Sequence, residues 1–111
     1  MSNFVVKDSG IREEYPSGMR RDTQKGKPDF TLIHIPFLRR FAMHLTRGAE
    51  KYGEGNWMLA NSPQELARFR KSAFRHFIQW LDEEENEDHM AAVCFNLMAA
   101  EYVKDRLEKD K

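Results

Sequence analysis

The chain has 111 residues, of which 41% are hydrophobic and 12% aromatic, and its 18 basic and 18 acidic side chains cancel. This length and composition predict one folded domain and exclude a disordered chain, while the absence of net charge argues against a nucleic-acid binder. The first residues, MSNFVVKDSG, lack the apolar segment of a signal peptide, and no apolar run is long enough to span a membrane. The single cysteine, Cys94, is expected to be a buried, inert thiol in a reducing compartment, so we predict a cytoplasmic protein.

Residues 1–30 show no sustained helical or strand pattern and are interrupted by glycines and prolines. We therefore predict an extended, basic N-terminal arm over residues 1–30 and a single all-α domain over residues 31–111. The arm segment GMRRDTQKGKPDF carries four cations. It is either a solvated tail or a strap that closes over a polyphosphate, because Arg and Lys donors suit phosphate oxygens.

The first helix is predicted to start near Pro36, which suits the first helical position. Apolar residues then recur at steps of three and four, which predicts one buried face over about four turns: Leu38, Phe41, Ala42, Leu45, Ala49 and Tyr52. Gly48 within this pattern costs about 1 kcal/mol relative to Ala, so the close approach of a neighbouring helix or a ligand is expected there. Gly53 is suited to end the helix with a positive φ.

The second helix has a strong start signal over residues 62–65, where a Ser cap and a Pro are followed by Glu65. Its predicted buried stripe spans about 80° of arc and consists of Leu66, Phe69, Ala73, Phe77 and Trp80. His76 falls at the edge of this stripe. If the helix continues, Glu84 lies on the buried line, where a carboxylate is unusual unless it is paired or binds a metal. If the helix ends near Leu81, Glu84 points to water, and both alternatives are open.

Acidic residues cluster over residues 82–88, and residues 90–100 are then apolar except for Asn96. This composition predicts a third helix that is buried nearly all round. The three helices and the arm predict an all-α helical bundle of three main helices. Because a small domain buries a limited share of its surface, we expect oligomerisation to complete this bundle.

Two side chains have both a packing and a binding interpretation. Trp57 either plugs the end of the core or stacks on a base together with Tyr52 while Asn56 reads the edge of that base. Asn96 is either a core amide bonded to a neighbouring helix or part of the same pocket, since it shares one helical line with His89.

Four segments taken together resemble a known family: RRDTQKGKPDF, RGAEKYGEGNW, SAFRHFIQWL and EDHMAAVCFN, in this order. Over about residues 18–103 the chain resembles the dATP/dGTP diphosphohydrolase-like family common in bacteriophages, which is similar to the MazG-like all-α nucleoside triphosphate pyrophosphohydrolases. The resemblance implies a homo-oligomer (dimer or tetramer) in the host cytoplasm, with no membrane or nucleic-acid partner. It also implies binding of a purine deoxynucleoside triphosphate with Mg²⁺, or Mn²⁺ in its place. Cleavage between the α and β phosphates would release a monophosphate and pyrophosphate.

The resemblance also implies roles for individual residues. Metal ligands would be Glu84 and Asp88, which are also catalytic, followed by Glu50 and Glu85; Mg²⁺ prefers such carboxylates together with water and phosphate oxygens. His76 would be a catalytic base or a donor to phosphate. The polyphosphate would be held by Arg21, Lys27, Lys51 and Arg75, and the base and sugar by Tyr52, Asn56, Trp57 and Asn96.

The chain departs from the MazG-like pattern of ExxE on one helix opposite ExxD on another. Glu85-x-x-Asp88 matches the second half, but the helix predicted over residues 37–52 offers only Glu50, with Glu54 beyond Gly53. An alternative function is therefore a non-catalytic, nucleotide-sequestering phage protein. A third is a helical interaction protein whose acidic residues are simply solvated.

Overall fold

A computed structural model describes residues 4–110 of the chain. Internal contacts divide the chain into two units, Met1–Leu32 and Ile33–Lys111. Within the described residues, the second unit holds three α-helices, α1 (Ile35–Tyr52), α2 (Pro63–Leu81) and α3 (His89–Lys109). This confirms the predicted all-α fold of three main helices. None of the helices in residues 4–110 combines the length and apolar character that crossing a bilayer requires.

The first unit contains a short antiparallel hairpin that the sequence pattern did not indicate. Strand β1 (Arg12–Glu14) pairs with strand β2 (Arg20–Asp22), and Arg12 lies opposite Asp22, with 3.2 Å between the guanidinium and the carboxylate. The connecting turn includes Gly18 at φ 89°. Charged side chains occupy both faces of these strands, so the alternation of apolar and polar residues that marks a strand is missing.

Helix α1 has the predicted ends but not the predicted burial. It runs for 18 residues, about five turns, and Gly53 follows it at φ 94° and donates its N–H to the Ala49 carbonyl at 2.8 Å. The expected buried face is wrong, because no residue of α1 is buried and Leu38 is 43% exposed. The reason is that α1 packs chiefly on α3 and so is covered along one side only.

Helix α2 begins with the predicted cap. The Glu65 N–H donates to the Ser62 hydroxyl oxygen at 3.2 Å, and the Ser62 hydroxyl donates to the Glu65 carboxylate at 2.7 Å. That carboxylate also accepts the Asn61 N–H at 3.0 Å. These bonds satisfy backbone donors that a helix start leaves unpaired.

The predicted buried stripe of α2 is partly correct in its first half, where Leu66 and Phe69 are half-buried, and wrong in its second half. Ala73 is buried, but Phe77 is 40% and Trp80 47% exposed, while His76 is only 8% exposed. His76 contacts His89 of α3. This polar pair therefore occupies the part of the packed face that helical periodicity had assigned to Phe77 and Trp80. Phe77 and Trp80 stack on each other instead, with ring centroids 6.1 Å apart.

Helix α3 forms the centre of the helical unit and is buried on several sides, as predicted. It runs antiparallel to α2, since Phe69 meets Phe95 and His76 meets His89. Trp57, from a short 3₁₀ helix (Asn56–Leu59), packs edge-on against Phe95 with centroids 6.0 Å apart. This contact favours the interpretation that Trp57 packs against the core. Cys94 of α3 is only partly buried, and that burial raises the pKa of its thiol.

The cap of α2 gives a direct test of this local structure. Replacing Ser62 with Ala should lower the free energy of unfolding by about 1 kcal/mol, the usual cost of losing a Ser cap. Gln64→Ala, an exposed change in the same first turn, is the matched control and should leave stability nearly unchanged. Urea unfolding followed by circular dichroism measures both, and an equal loss in the two variants would contradict the capping role.

Candidate functional site

Residues 82–88 connect α2 to α3 and hold six of the 18 acidic side chains. Because α2 ends at Leu81, Glu84 lies beyond the helix and not on its buried line. Glu83 has φ 57°, a left-handed conformation that turns the chain out of the helix. Glu84 is exposed and accepts a hydrogen bond from the Gln79 side chain at 3.4 Å. The acidic residues therefore form a solvent-facing corner at one end of the helical unit.

Asp88 joins this corner to two helices. It caps α3 by accepting the Ala91 N–H at 3.1 Å. Both of its carboxylate oxygens also accept from Arg40 of α1, from Nε and from Nη2, each at 2.8 Å. The hydrogen bond from Arg40 is the main reason why the pKa of Asp88 lies below its usual value. Asp88 is thus ionised near neutral pH and held by a guanidinium.

An open pocket of about 210 Å³ brings together three of the four predicted metal ligands. Glu84, Glu85 and Asp88 line it together with Arg40. Glu50, the fourth, is not among the lining residues and lies ten residues after Arg40, about 15 Å further along α1. At this corner α1 therefore presents a guanidinium where a second pair of carboxylates was expected from the family resemblance.

Two imidazoles meet beside the acidic corner. His76 Nδ1 lies 2.9 Å from His89 Nδ1, and His89 Nε2 lies 2.9 Å from the Asn86 side-chain oxygen. Because that oxygen can only accept, His89 donates from Nε2, so its Nδ1 accepts from His76 Nδ1–H. His76 is then left with a lone pair on Nε2. Desolvation is the main cause that lowers the pKa of His76, which favours the neutral form of that ring.

This contact bears on the predicted role of His76 as a base. Its Nδ1 is engaged with His89, so only Nε2 is free to accept a proton, and the role stays a prediction. Sequence reasoning did not select His89 as a site residue. The signal it overlooked is a histidine in an otherwise apolar helix start, which is 2% exposed in the structure.

A second cavity, of about 90 Å³, lies between α1, the 3₁₀ helix and α3. Three predicted base-binding residues, Tyr52, Asn56 and Trp57, line it. His44 and Phe95 complete one wall, with ring centroids 5.6 Å apart, and burial lowers the pKa of His44. The structure therefore groups Tyr52 at the end of α1 and Trp57 of the GEGNW loop around one indentation, which also includes a histidine that sequence reasoning did not select.

Glycines form much of the lining of this cavity. Gly48, Gly53 and Gly55 all contribute to it, and a Cβ added at any of them would meet no heavy atom within 4 Å. Gly48 is therefore not required by contact with a neighbouring helix in the described part of the chain. The other expectation for this helix-weakening residue, space for a bound group, stays a prediction.

Three other predicted site residues of the helical unit, Asn96, Lys51 and Arg75, do not line either pocket. Asn96 is buried and donates from Nδ2 to the Ala92 carbonyl at 2.8 Å, so it is a core amide, but it is bonded to its own helix and not to a neighbouring one. Lys51 places its ammonium 5.1 Å from the Tyr52 ring centroid. Arg75 is exposed on α2. In the first unit, Arg21 belongs to β2, and Lys27 forms an ion pair with Asp22 at 3.6 Å.

One side of α1 links the corner pocket to the glycine-lined cavity. Arg40 lines the first, and His44, Gly48 and Tyr52 line the second, at successive steps of four residues. Arg40 and Gly48 are two turns apart, about 12 Å along the helix axis. An elongated ligand with an aromatic group at one end and anionic groups at the other would match this order of stacking surfaces, cation and carboxylates.

Comparison with known families matches residues 17–111 to the family described as dATP/dGTP diphosphohydrolase, N-terminal. No curated protein and no solved structure matches the chain. The matched segment includes the whole helical unit and both pockets, and the family description names a hydrolase of purine deoxynucleotides. The chain therefore belongs to the dATP/dGTP diphosphohydrolase N-terminal family.

Proposed function

We propose that the protein is a Mg²⁺-dependent nucleoside triphosphate diphosphohydrolase that acts on purine deoxynucleotides and releases a monophosphate and pyrophosphate. The family match over residues 17–111 is the observation that carries this proposal. The two pockets on one side of α1 support it, since one offers aromatic surfaces and the other offers carboxylates and a guanidinium.

The acidic corner suits the metal that this reaction requires. Mg²⁺ prefers carboxylate oxygens and retains several waters, and Glu84 and Glu85 are exposed carboxylates on an open pocket. Asp88 is already held by Arg40, so we assign direct ligation to Glu84 and Glu85 and a positioning role to Asp88. When bound, the ion would neutralise phosphate charge and activate the attacking water.

Arg40 is the side chain we assign to the phosphates. A guanidinium has five N–H donors, and the ion pair with Asp88 uses two of them. The remaining donors suit phosphate oxygens, and the ion pair fixes the plane from which they are offered. Arg75 and Lys51, which are exposed, would add positive charge around the ligand.

The glycine-lined cavity is the proposed site of the purine base. Stacking of a base on an aromatic side chain is worth about 1–3 kcal/mol, and Trp57 and Tyr52 offer such surfaces. Asn56 can donate and accept at the edge of the base. Gly48 would let the base approach the helix backbone closely.

We also propose that the protein works as a homo-oligomer. Several large apolar side chains of α1 and α2 are well exposed, including Leu38 at 43% and Phe74 at 69%. Apolar surface of this kind is typical of an interface. Burial against a second copy would cover the side of α1 that α3 leaves open.

A second function, nucleotide binding without cleavage, has one observation in its favour. At the acidic corner, α1 contributes Arg40 and no carboxylate. A corner with fewer metal ligands but an added cation would hold a polyphosphate and yet lack the charge needed to place a second metal ion.

Cleavage can be tested by incubating the protein with each of the four deoxynucleoside triphosphates and Mg²⁺ and measuring pyrophosphate. We expect release from dATP and dGTP. In the Glu84→Gln, Glu85→Gln double variant, activity should fall at least about a hundredfold, because even outer-shell partners of a metal are worth about 10–100-fold.

The matched control is Glu83→Gln, which removes a neighbouring charge outside the corner pocket and should keep nearly full activity. Recovery of an intact purine nucleotide from the wild-type protein, with no pyrophosphate formed, would support the binding function instead. The absence of both cleavage and binding would overturn the two functions together.

Gly48→Ala separates a role in binding from a role in folding. The added methyl group meets no protein atom within 4 Å, so the variant should be about 0.5–1 kcal/mol more stable, because Ala favours the helix over Gly. The same methyl group would occupy the proposed base site, and an overpacking cost of about 1.4 kcal/mol or more corresponds to at least about tenfold weaker binding.

Urea unfolding and calorimetric titration with a non-hydrolysable dGTP analogue measure the two effects. Thr46→Ala, an exposed change on the same helix and outside the cavity lining, is the control for binding. A Gly48→Ala variant that binds as tightly as the wild type would place the base elsewhere.

A further inference from the structure

We infer that His76, Glu87 and His89 form a binding site for a divalent transition-metal ion such as Zn²⁺. One ligand nitrogen of each ring and one oxygen of the Glu87 carboxylate all lie within 4.8 Å of one another. This site is distinct from the all-oxygen Mg²⁺ site proposed above, and it does not depend on the proposed reaction.

The separation of the two rings already suits a shared metal ion. Two nitrogens that each lie ~2.1 Å from one ion are about 3.0 Å apart at a right angle and about 3.4 Å apart at the tetrahedral angle. The Nδ1 atoms of His76 and His89 are 2.9 Å apart. An ion could therefore replace the hydrogen bond between them at nearly the same nitrogen separation, with each ring tilting so that its lone pair turns from the other nitrogen towards the ion.

The orientation of His89 has the form found in metal sites. A ligating histidine usually donates its other ring N–H to an oxygen, which fixes both tautomer and ring plane. His89 Nε2 makes this bond to the Asn86 side-chain oxygen at 2.9 Å, so its Nδ1 lone pair is directed at His76. The ring is 2% exposed, so its packed surroundings keep it beside His76.

The donor set determines which metal is favoured. Two imidazoles and one carboxylate suit Zn²⁺, Co²⁺ or other transition metals, whereas Mg²⁺ prefers oxygen ligands alone. Glu87 is exposed while both histidines are buried, so the site would be enclosed by protein on the side of the histidines and open to solvent on the side of Glu87. A fourth position would then be left for water, as in zinc sites with three protein ligands.

Metal binding requires one change of tautomer. Without metal, His76 carries its proton on Nδ1 and donates it to His89. With metal on both Nδ1 atoms, that proton moves through solvent to His76 Nε2. The proton moves between two nitrogens of one ring, so this change of tautomer releases none.

The test uses the full chain, stripped with a chelator and titrated calorimetrically with Zn²⁺ in the absence of nucleotide. Excess Mg²⁺ is included to compete at the all-oxygen sites. We expect one strong site per chain and a dissociation constant at least about tenfold weaker in Glu87→Gln. Glu83→Gln, an exposed carboxylate change in the same connection, should bind within about twofold of the wild type.

Nitrogen NMR of the labelled imidazoles gives a readout that an adventitious surface site would not reproduce. Zn²⁺ should shift the Nδ1 signals of His76 and His89 and convert His76 to the tautomer with the proton on Nε2, while exposed His34 serves as the internal reference. Unshifted His76 and His89 signals, or equal affinity in Glu87→Gln and the wild type, would overturn the site. Neither result would bear on pyrophosphate release, which is measured with Mg²⁺ alone.

Discussion

The arrangement of the helices around the acidic corner depends on the hydrogen bonds that the Asp88 carboxylate accepts. It caps α3 through the Ala91 N–H and holds Arg40 of α1 through two hydrogen bonds. A cap and a partly exposed ion pair contribute only about 1 kcal/mol each. Their larger effect is geometric, because α1 has no buried residue of its own to fix its position on α3. Arg40 is thereby held at the acidic corner, and Gly48 follows two turns later beside Trp57.

The corner combines two kinds of donor that differ in chemistry and in burial. Exposed carboxylates, Glu84 and Glu85, border an open pocket, whereas His76 and His89 are buried and bonded to each other. Hard cations with phosphate oxygens suit the first set, and a transition metal suits the second. Glu87 belongs to both neighbourhoods, because it lines the open pocket and lies within reach of the imidazoles. Occupancy of one site would therefore change the electrostatic field at the other.

Local sequence signals predicted the helices well, because their causes are local. Ser62 and Glu65 make the cap that their spacing implied, and Gly53 takes the positive φ that ends α1. The burial of individual side chains was predicted less well. Phe77 and Trp80 were assigned to the core on helical periodicity, but the partner surface there is a histidine of α3, which a single-helix pattern does not contain.

The candidate site shows the same division between local and tertiary causes. The aromatic cavity follows from residues close together in the sequence, Tyr52 to Trp57, and was predicted as a group. The contacts between Arg40 and Asp88 and between His76 and His89 join residues that are 48 and 13 positions apart. They depend on where α2 ends, which the sequence left open at Glu84. The hairpin in the first unit was missed because its strands have no apolar face.

The central claim is that one nucleotide spans the glycine-lined cavity and the acidic corner along α1. This claim can be tested by adding a non-hydrolysable purine deoxynucleoside triphosphate with Mg²⁺ and following the amide and indole NMR signals of the protein. We expect the signals of Gly48 and Trp57 and those of Glu84 and Glu85 to shift together, with one shared dissociation constant. Shifts confined to only one of the two pockets, or shifts that follow different dissociation constants, would contradict it.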